Sequence, residues 1–187
     1  MEFSLEAQPT IQKTTIWDEF VPIKQSKETI DIYLTDNIEQ PSNYNQLVYV
    51  ISNAEPYQDI NLYINNNGGY IDSALYILDA MKKTKATVTA HLSGTVASAS
   101  TIIALSCDKI VCAKYLSFMV HNYSSGISGK GHEMKAYQNF TDRELNRAFK
   151  EIYKDFLSEE EMEKVLEGTD LWLNEQEVTE RFERKVL

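Results

Sequence analysis

The chain has 187 residues, of which 43% are apolar, and its formal net charge is −10 at neutral pH. That length suits one domain with its own core, and the excess of acidic residues argues against a nucleic-acid partner. No apolar run approaches the ~20 residues of a membrane-spanning helix, and the acidic residues 1–6 do not resemble a signal sequence. These observations predict a cytoplasmic protein without a membrane or nucleic-acid partner.

The first half of the chain is predicted to alternate strands with helices after an irregular start. Pro9 and Pro22 discourage regular structure over residues 1–28. Beyond them, the spacing of apolar residues predicts three strands, at 29–34, 60–65 and 86–92. A helix that begins near Pro41 and ends before Pro56 follows the first strand, and a helix containing Ile71–Met81 follows the second.

The second half is predicted to continue in the same way and to end in helices. The predicted elements are a small-residue helix at 98–105, strands at 109–113 and 117–121, a glycine-containing loop at 124–131, an amphipathic helix at 132–157, a helix capped by Ser158 and a last helix at 174–182. Strands that alternate with helices on this scale predict an α/β fold. We assign residues 29–187 to one domain.

The chain contains only two cysteines, Cys107 and Cys112. They form no Cys-x-x-Cys motif and have no neighbouring histidine, so we predict that both are buried small apolar residues. Neither a zinc-binding cluster nor a phosphate-binding loop is visible in the sequence. We therefore predict no metal and no cofactor.

Two segments carry candidate chemistry. Asn65–Gly69 closes an apolar strand with two glycines, and Gly94–Ser100 places small residues in front of an apolar helix. Ser98 lies where the turn enters that helix, and unpaired N–H groups there favour negative charge. Gly68 could supply a second outward N–H, although a simple turn is the alternative at this position. A serine beside two such N–H groups is what an acyl-transfer enzyme needs.

A serine nucleophile requires a base, and the chain offers three histidines. His91 lies inside a strand pattern, so it is expected to be half-buried or to face solvent. His132 begins the long helix and is expected to be solvated or at an interface. His121 ends an apolar strand just before a loop, where side chains point into clefts. We favour His121 as the base, with a structural role at the strand end as the alternative.

The carboxylate that would orient such a base is less constrained by the sequence. The candidates are Asp108, Asp142, Asp155 and Asp170. Asp170 stands between a Gly-Thr turn and the apolar residues 171–173, where a carboxylate could hold an imidazole ring at the edge of buried structure. An aspartate of a turn or helix end is the alternative.

Several segments, in this order, resemble the Clp protease family of serine peptidases. Residues 60–69 are similar to that family's strand ending in Asn-Ser-Pro-Gly-Gly, and residues 94–100 to its Gly-Gln-Ala-Ala-Ser-Met-Gly. Phe118–His121 resembles its Val-Met-Ile-His, and Asp170–Asn174 falls where it has Asp-Arg-Phe-Leu-Ser. The resemblance covers roughly residues 29–187, with similar spacing between the motifs.

The resemblance implies a set of roles for residues of this chain. It implies Ser98 as nucleophile, His121 as base and Asp170 as the orienting carboxylate. The backbone N–H groups of Gly68 and Ala99 would form the oxyanion hole. Gly69, Tyr70, Ile71 and Asn122 would bind the substrate, the first three by pairing with an extended peptide.

The chain departs from the family pattern beside three of these motifs. Asn67 stands where the family has proline, Ala99-Ser100 where it has Met-Gly, and Asn122-Tyr123 where it has Gln-Pro. None of these departures removes a catalytic side chain, but Ser100 and Tyr123 could alter the cleft.

The resemblance also implies an architecture and an assembly. The fold would be the ClpP/crotonase-like spiral of repeated β-β-α units, with a protruding handle at about residues 122–157. The handle would join stacked heptameric rings that enclose the sites. The substrates would be unfolded polypeptides, delivered by an AAA+ unfoldase that alone would use ATP.

Alternative functions remain on the same sequence. One is a phage head-maturation protease of the same fold, which would work without an unfoldase. Another is a non-catalytic assembly subunit of mixed rings, although Ser98, His121 and Asp170 are all present. A crotonase-like acyl-CoA enzyme would share the two N–H donors but would not need the serine–histidine pair, and no basic patch for the CoA phosphates is visible.

Overall fold

The computed structural model describes residues 21–186. The part of the predicted irregular segment at residues 1–20 lies outside the described residues. Within the remainder, Ile23–Gln25 forms a short strand, β1, that is not predicted from the sequence. Three residues are too few to show a period of two, and β1 exists because it pairs antiparallel with the next strand.

The remaining elements follow closely the predicted order. They are β2 Thr29–Leu34, a 3-10 turn Pro41–Tyr44, α1 Asn45–Ser52, β3 Asp59–Asn66, α2 Ile71–Lys83, β4 Thr87–Ala97, α3 Ala99–Leu105, β5 Lys109–Cys112, β6 Ser117–Val120, α4 Gly131–Ile152, α5 Glu159–Leu166, β7 Leu171–Leu173 and α6 Glu175–Val186. The predicted α/β class is confirmed.

Within residues 21–186 the strands form one seven-stranded sheet in which β4 is a branch point. Strands β2, β3 and β4 run parallel, and β4 pairs with β5 through residues 89–92. Further along, residues 95–97 of β4 pair with β6, and β7 adds antiparallel to β6. The later half of β4 therefore connects the large parallel part of the sheet to the pair β6–β7.

Strand β4 is five residues longer at its end than predicted. The register with β3 shifts between Ile64 and Asn66, and Gly94 takes a φ of +60° at this irregularity. The exposed Asn65 side chain accepts a hydrogen bond from the N–H of Thr95 at 3.2 Å across this irregularity. The sequence does not indicate that β4 continues past residue 92, because the small polar residues that follow break the apolar alternation.

The core lies between the sheet and helices α1, α2 and α3. The inward positions of β2 and β3 are buried and, except for Asn66 at the end of β3, aliphatic, and they include Ile30, Ile32, Ile60 and Leu62. Every residue of α3 is buried, as the run of small residues predicts. Cys107 is buried as predicted, whereas Cys112 is only half-buried, so the prediction for Cys112 is wrong. Cys112 lies on the short strand β5, which has one side partly open.

Helix α4 differs most from the rest of the fold. It ends at Ile152 rather than at 157, and none of its 22 residues is buried. The chain leaves the helix because Tyr153 and Phe156 enter the core, where each is 1% exposed. Within residues 21–186, no helix combines the length and apolar character needed to cross a bilayer.

The helix after α4 begins as the sequence predicts. Ser158 accepts a hydrogen bond from the N–H of Glu161, and the Glu161 carboxylate accepts one from the N–H of Ser158, which completes a capping box. Such a cap is typically worth about 1 kcal/mol of helix stability. It fixes the start of α5, which leads into the loop that carries Asp170.

Candidate active site

The branch in the sheet brings three distant segments of the chain together. Ala97 pairs with Met119 across β4 and β6, so Ser98 and His121 lie just beyond the same end of neighbouring strands. Val120 pairs with Leu171 across β6 and β7, which sets Asp170 opposite His121. The sheet register alone therefore gathers the three side chains.

Ser98 lies at a sharp turn between β4 and α3. Its φ of +56° falls in the left-handed region, which costs a non-glycine residue of order 1–3 kcal/mol. Buried contacts hold it in this conformation: its N–H donates to the Met119 carbonyl at 2.9 Å, and its carbonyl accepts from the Thr101 N–H at 2.9 Å. The strained turn directs the hydroxyl away from the core.

The Ser98 hydroxyl oxygen lies 2.7 Å from Nε2 of His121. This is an ordinary length for a hydroxyl–imidazole hydrogen bond, in which the hydroxyl donates when Nδ1 carries the ring proton. The two groups are 23 residues apart in the chain. The structure thus brings together the predicted nucleophile and the predicted base.

Asp170 lies on the other side of the imidazole ring, but less closely. Its Oδ1 is 3.9 Å from Nδ1 of His121, which is longer than a hydrogen bond. The Asp170 side chain is 56% exposed and that of His121 is 29% exposed. A shift of about 1 Å in the exposed loop would bring the two groups into hydrogen-bond contact.

The other candidates from the sequence have different partners. Asp108 accepts from the N–H of Val88 at 2.8 Å, and Asp142 accepts from the hydroxyl of Tyr123. His91 is half-buried, as predicted, and stacks on another aromatic ring. His132 is on the exposed surface of α4, also as predicted. Neither of these histidines contacts Ser98.

The two N–H groups that are predicted to form an oxyanion hole differ in their hydrogen bonding. Within residues 21–186, the N–H of Ala99 has no acceptor, and it lies at the first residue of α3. The N–H of Gly68, in contrast, donates to Oδ1 of the buried Asn66 side chain at 2.7 Å. The predicted Gly68 donor is therefore already paired in this structure, because the glycine turn folds back on the end of β3.

Gly69 provides the exposed backbone that Gly68 does not. It forms a parallel bridge with Ile38, in which the Gly68 carbonyl and the Tyr70 N–H are the paired groups. In such a bridge the N–H and C=O of the middle residue point to the opposite edge. A side chain here is excluded, since a Cβ on Gly69 would collide with the Ile38 carbonyl oxygen. The unpaired edge of Gly69 borders the cleft.

Asn122 borders the cleft, but its side-chain amide is hydrogen-bonded within the protein. Its Nδ2 donates to the Leu166 carbonyl at 2.8 Å, and its Oδ1 accepts from the Tyr123 N–H at 2.8 Å. Both polar ends of the amide are thus used within the protein. Asn122 ties the segment after His121 to the end of α5, close to the loop of Asp170.

Ser98 and His121 border a cleft of about 830 Å³ between the sheet edge and α4. Gly69, Tyr70 and Ile71 line one side, so these predicted substrate contacts do border the cleft. The opposite side consists largely of apolar side chains of α4, among them Leu145, Phe149 and Ile152. The volume and the largely apolar lining of the cleft suit a peptide segment.

Two supporting residues are not predicted from the sequence. The Thr101 hydroxyl lies 2.6 Å from the Ser98 carbonyl and 2.5 Å from the Tyr153 hydroxyl. Thr101 and Tyr153 are both essentially inaccessible to solvent, and burial raises the pKa of the Tyr153 hydroxyl, so it stays protonated. No local signal reveals this pair, because its members are 52 residues apart.

The mixed α/β fold places a serine–histidine pair at the end of a parallel strand and an amide without an acceptor in residues 21–186 at a helix N-terminus, an arrangement of the kind that serine hydrolases use. The protein-family model described as Clp protease matches residues 16–181. The chain therefore belongs to the Clp protease family.

Similar proteins include three that are each described as an ATP-dependent Clp protease proteolytic subunit. The protein from Paracoccus denitrificans is 30% identical over 152 residues, which cover 77% of this chain and 72% of the relative. The protein from Bacteroides thetaiotaomicron is 28% identical over 141 residues, covering 72% and 62% respectively. The protein from Streptococcus suis is 38% identical over 77 residues, covering 40% and 39%. The aligned part is thus less than two thirds of the second and third relatives.

Proposed function

We propose that this chain is a serine endopeptidase that hydrolyses unfolded polypeptides through an acyl-enzyme on Ser98. The observation that carries the proposal is the 2.7 Å contact between the Ser98 hydroxyl and Nε2 of His121. Membership of a protease family and the cleft beside this contact support it.

In the proposed mechanism, His121 takes the Ser98 proton as the hydroxyl oxygen attacks the substrate carbonyl carbon. The tetrahedral intermediate collapses when His121 returns that proton to the departing amine. Water then attacks the acyl-enzyme, again with His121 as base, and releases the second product. Asp170 stabilises the imidazolium, for which its loop must close the 3.9 Å separation.

The negative oxygen of the intermediate requires N–H donors. We assign this role to Ala99 at the start of α3 and to Gly69 rather than Gly68, since the Gly68 N–H is already bonded to Asn66. The carbonyl of Gly69 would accept from an extended substrate that pairs along the strand edge through Tyr70 and Ile71.

The assembly and partner are further parts of the proposal. We infer that α4 packs against its counterpart in a second ring, so that two seven-membered rings enclose the sites, and that an AAA+ unfoldase delivers substrate. Tyr137 and Phe140 of α4 border the cleft but are still 59% and 57% exposed, and this remaining apolar surface supports an interface there. Native mass measurement should give the mass of two stacked seven-membered rings, and a stable monomer would contradict this part.

The first test of the chemistry is Ser98→Ala. Turnover of a small fluorogenic peptide and labelling by a fluorophosphonate should both be lost while the assembly stays intact. Ser117→Ala is the matched control, since Ser117 is exposed on β6 and away from the cleft lining. Peptide turnover that survives in Ser98→Ala would reject the nucleophile. A wild-type assembly that neither labels nor cleaves would support a non-catalytic subunit instead.

A further inference from the structure

Beyond the last paired residues of β3 and β4, the segment with the glycine turn and the segment with Ser98 diverge. Asn66 and Val96 are the last paired residues of these strands. Past them, β3 runs into the glycine turn and β4 runs into the strained residue Ser98. The distance between the glycine turn and the nucleophile must therefore be set by contacts outside the regular ladder.

Ser100 spans this divergence. Its hydroxyl oxygen lies 2.9 Å from the Asn66 carbonyl and 2.7 Å from the Ala97 carbonyl, and it accepts from the Ala97 N–H at 2.9 Å. The single hydroxyl proton serves one of the two carbonyls at a time. Ser100 is fully buried, so water cannot replace these bonds. One side chain thus links the last residue of β3 to the last residue of β4.

Asn66 extends the same link to the glycine turn. Its side chain is buried, at 3% exposed, and its Oδ1 accepts the Gly68 N–H at 2.7 Å while its main-chain carbonyl contacts Ser100. This side-chain bond to the N–H two residues ahead fixes how the turn folds. A continuous path of hydrogen bonds therefore leads from Ala97 through Ser100 and Asn66 to Gly68.

The glycine turn is packed against the nucleophile with little room. A Cβ on Gly68 would lie 2.6 Å from the Ser98 Cβ and 2.9 Å from the Ala99 nitrogen. Any displacement of the turn would therefore change its distance to the Ala99 N–H. Because oxyanion donors act only at 2.7–3.1 Å from the developing charge, a small displacement is enough to weaken them.

We propose that Asn66 and Ser100 are positioning residues, a buried brace that holds the glycine turn so that its exposed N–H converges with that of Ala99. The inference rests on the proposed function, because it assumes that Ser98 forms a tetrahedral intermediate. The brace touches neither the substrate nor the imidazole ring. It acts on the transition state through the backbone of the turn.

The brace has a kinetic signature that a loss of stability alone does not have. Displaced oxyanion donors weaken binding of the transition state, so kcat falls while KM changes little. The pH at which kcat/KM rises should stay the same, since the base is untouched. A merely structural role would instead lower the number of competent sites and leave the rate at each competent site unchanged.

The experiment measures kcat and KM for a fluorogenic peptide in the assembled protein, with active sites counted by fluorophosphonate labelling at completion. The variants are Asn66→Ala and Ser100→Ala. Asn66→Ser is the rescue, since a serine oxygen can still accept the N–H two residues ahead. Asn65→Ala is the matched control, because Asn65 also accepts a backbone N–H but is exposed on the opposite face of β3. Ser98→Ala defines zero turnover.

Asn66→Ala and Ser100→Ala should each lower kcat per labelled site by about 10- to 100-fold, less than the full loss of one donor. KM should stay within about threefold, Asn66→Ser should recover most of the rate, and Asn65→Ala should match wild type. Rates per labelled site within about twofold of wild type in both alanine variants would overturn the brace. A loss of kcat per labelled site in Asn65→Ala equal to that in the two alanine variants would also overturn the brace. If Ser98→Ala and wild type cleave alike, the proposed function fails, which is a separate result.

Discussion

The Ser98 side of the candidate site is held by the core, whereas the Asp170 side lies at the surface. Ser98 is fixed by main-chain bonds to Met119 and Thr101 at 2.9 Å and begins a helix in which every residue is buried. Asp170 lies between α5 and β7, is 56% exposed, and remains 3.9 Å from the ring that it would orient. The same imidazole thus has one rigid neighbour and one adjustable neighbour.

This difference indicates where the site can be tuned. The Ser98–His121 contact depends on sheet register and core packing, which change only if the fold changes. The His121–Asp170 contact depends on an exposed loop, which a subunit interface or a bound peptide can shift at small cost. We therefore expect substitutions on the two sides to differ in how much they change activity and in whether they also change stability.

After Ser98→Ala, the largest effect is expected from His121→Ala. Without the base the Ser98 hydroxyl keeps its proton, so kcat should fall by roughly 10⁴-fold or more. Peptide hydrolysis is measured beside His132→Ala, whose histidine is exposed on α4 and should be dispensable. Activity of His121→Ala within tenfold of wild type would show that another group is the base.

Asp170→Asn should have the next largest effect and tests the adjustable side. We expect kcat to fall by roughly 10²- to 10³-fold, since the imidazolium loses its stabilising charge. The reduction should be smaller than for a buried orienting aspartate, because solvent screens an exposed pair. Asp79→Asn, at a surface ion pair, is the control. Wild-type rates in Asp170→Asn would mean that the 3.9 Å separation persists during turnover.

Tyr153→Phe tests the rigid side without touching the reacting groups. It removes the hydroxyl that contacts Thr101 at 2.5 Å. We expect the free energy of unfolding to drop by about 1–2 kcal/mol and kcat to fall only several-fold. Urea unfolding and peptide turnover are compared with Tyr115→Phe, where the side chain is 78% exposed. A loss of kcat as large as for Asp170→Asn would remove the distinction between the two sides.

The smallest effect on activity is expected from Glu161→Gln. Glu161 lies in α5, the helix that precedes the Asp170 loop. Glu161 makes two 2.8 Å bonds to Arg181 and so joins α5 to α6. The Arg181 hydrogen bonds lower the pKa of Glu161 to about 2. A depressed carboxyl pKa stabilises the fold above the unfolded value of about 4.3, and this stabilisation is lost as pH falls towards 2.

We therefore expect Glu161→Gln to lower the free energy of unfolding by about 2 kcal/mol at neutral pH. The difference from wild type should be constant from pH 7 to 5 and shrink through pH 4 and 3. Denaturant unfolding at these four pH values measures it, with Glu160→Gln at an exposed pair as control. A difference that grows as pH falls would contradict the assignment of the depressed pKa to Glu161.

Much of the fold is predictable from the sequence because its elements have clear periods. The aliphatic alternation of β2 and β3 and the apolar stripe of α2 identify those elements correctly. The branch at β4 is not predictable, since β5 and β6 carry no mark that assigns each to a different half of the same strand. The end of α4 is missed because Tyr153 and Phe156 continue its apolar pattern while leaving the helix.

The candidate site divides in the same way. Local motifs single out Ser98 and His121, and the structure brings them together. The hydrogen bond between the Gly68 N–H and Asn66 is not predictable from the sequence, because the residues of a glycine turn do not show which of its N–H groups faces the cleft. The hydrogen bond from Asn122 to the Leu166 carbonyl is not predictable either, because the two residues are 44 positions apart in the chain.

Strand β4 joins both parts of the sheet and ends at Ala97, one residue before the proposed nucleophile Ser98. Separation of β6 from this strand would break the bond that fixes the Ser98 N–H, even if the parallel strands stayed folded. Partial opening of the sheet between β4 and β6 would therefore release the Ser98 turn before the molecule lost its compact shape. A partly opened copy would then lack the geometry that the proposed peptidase activity requires.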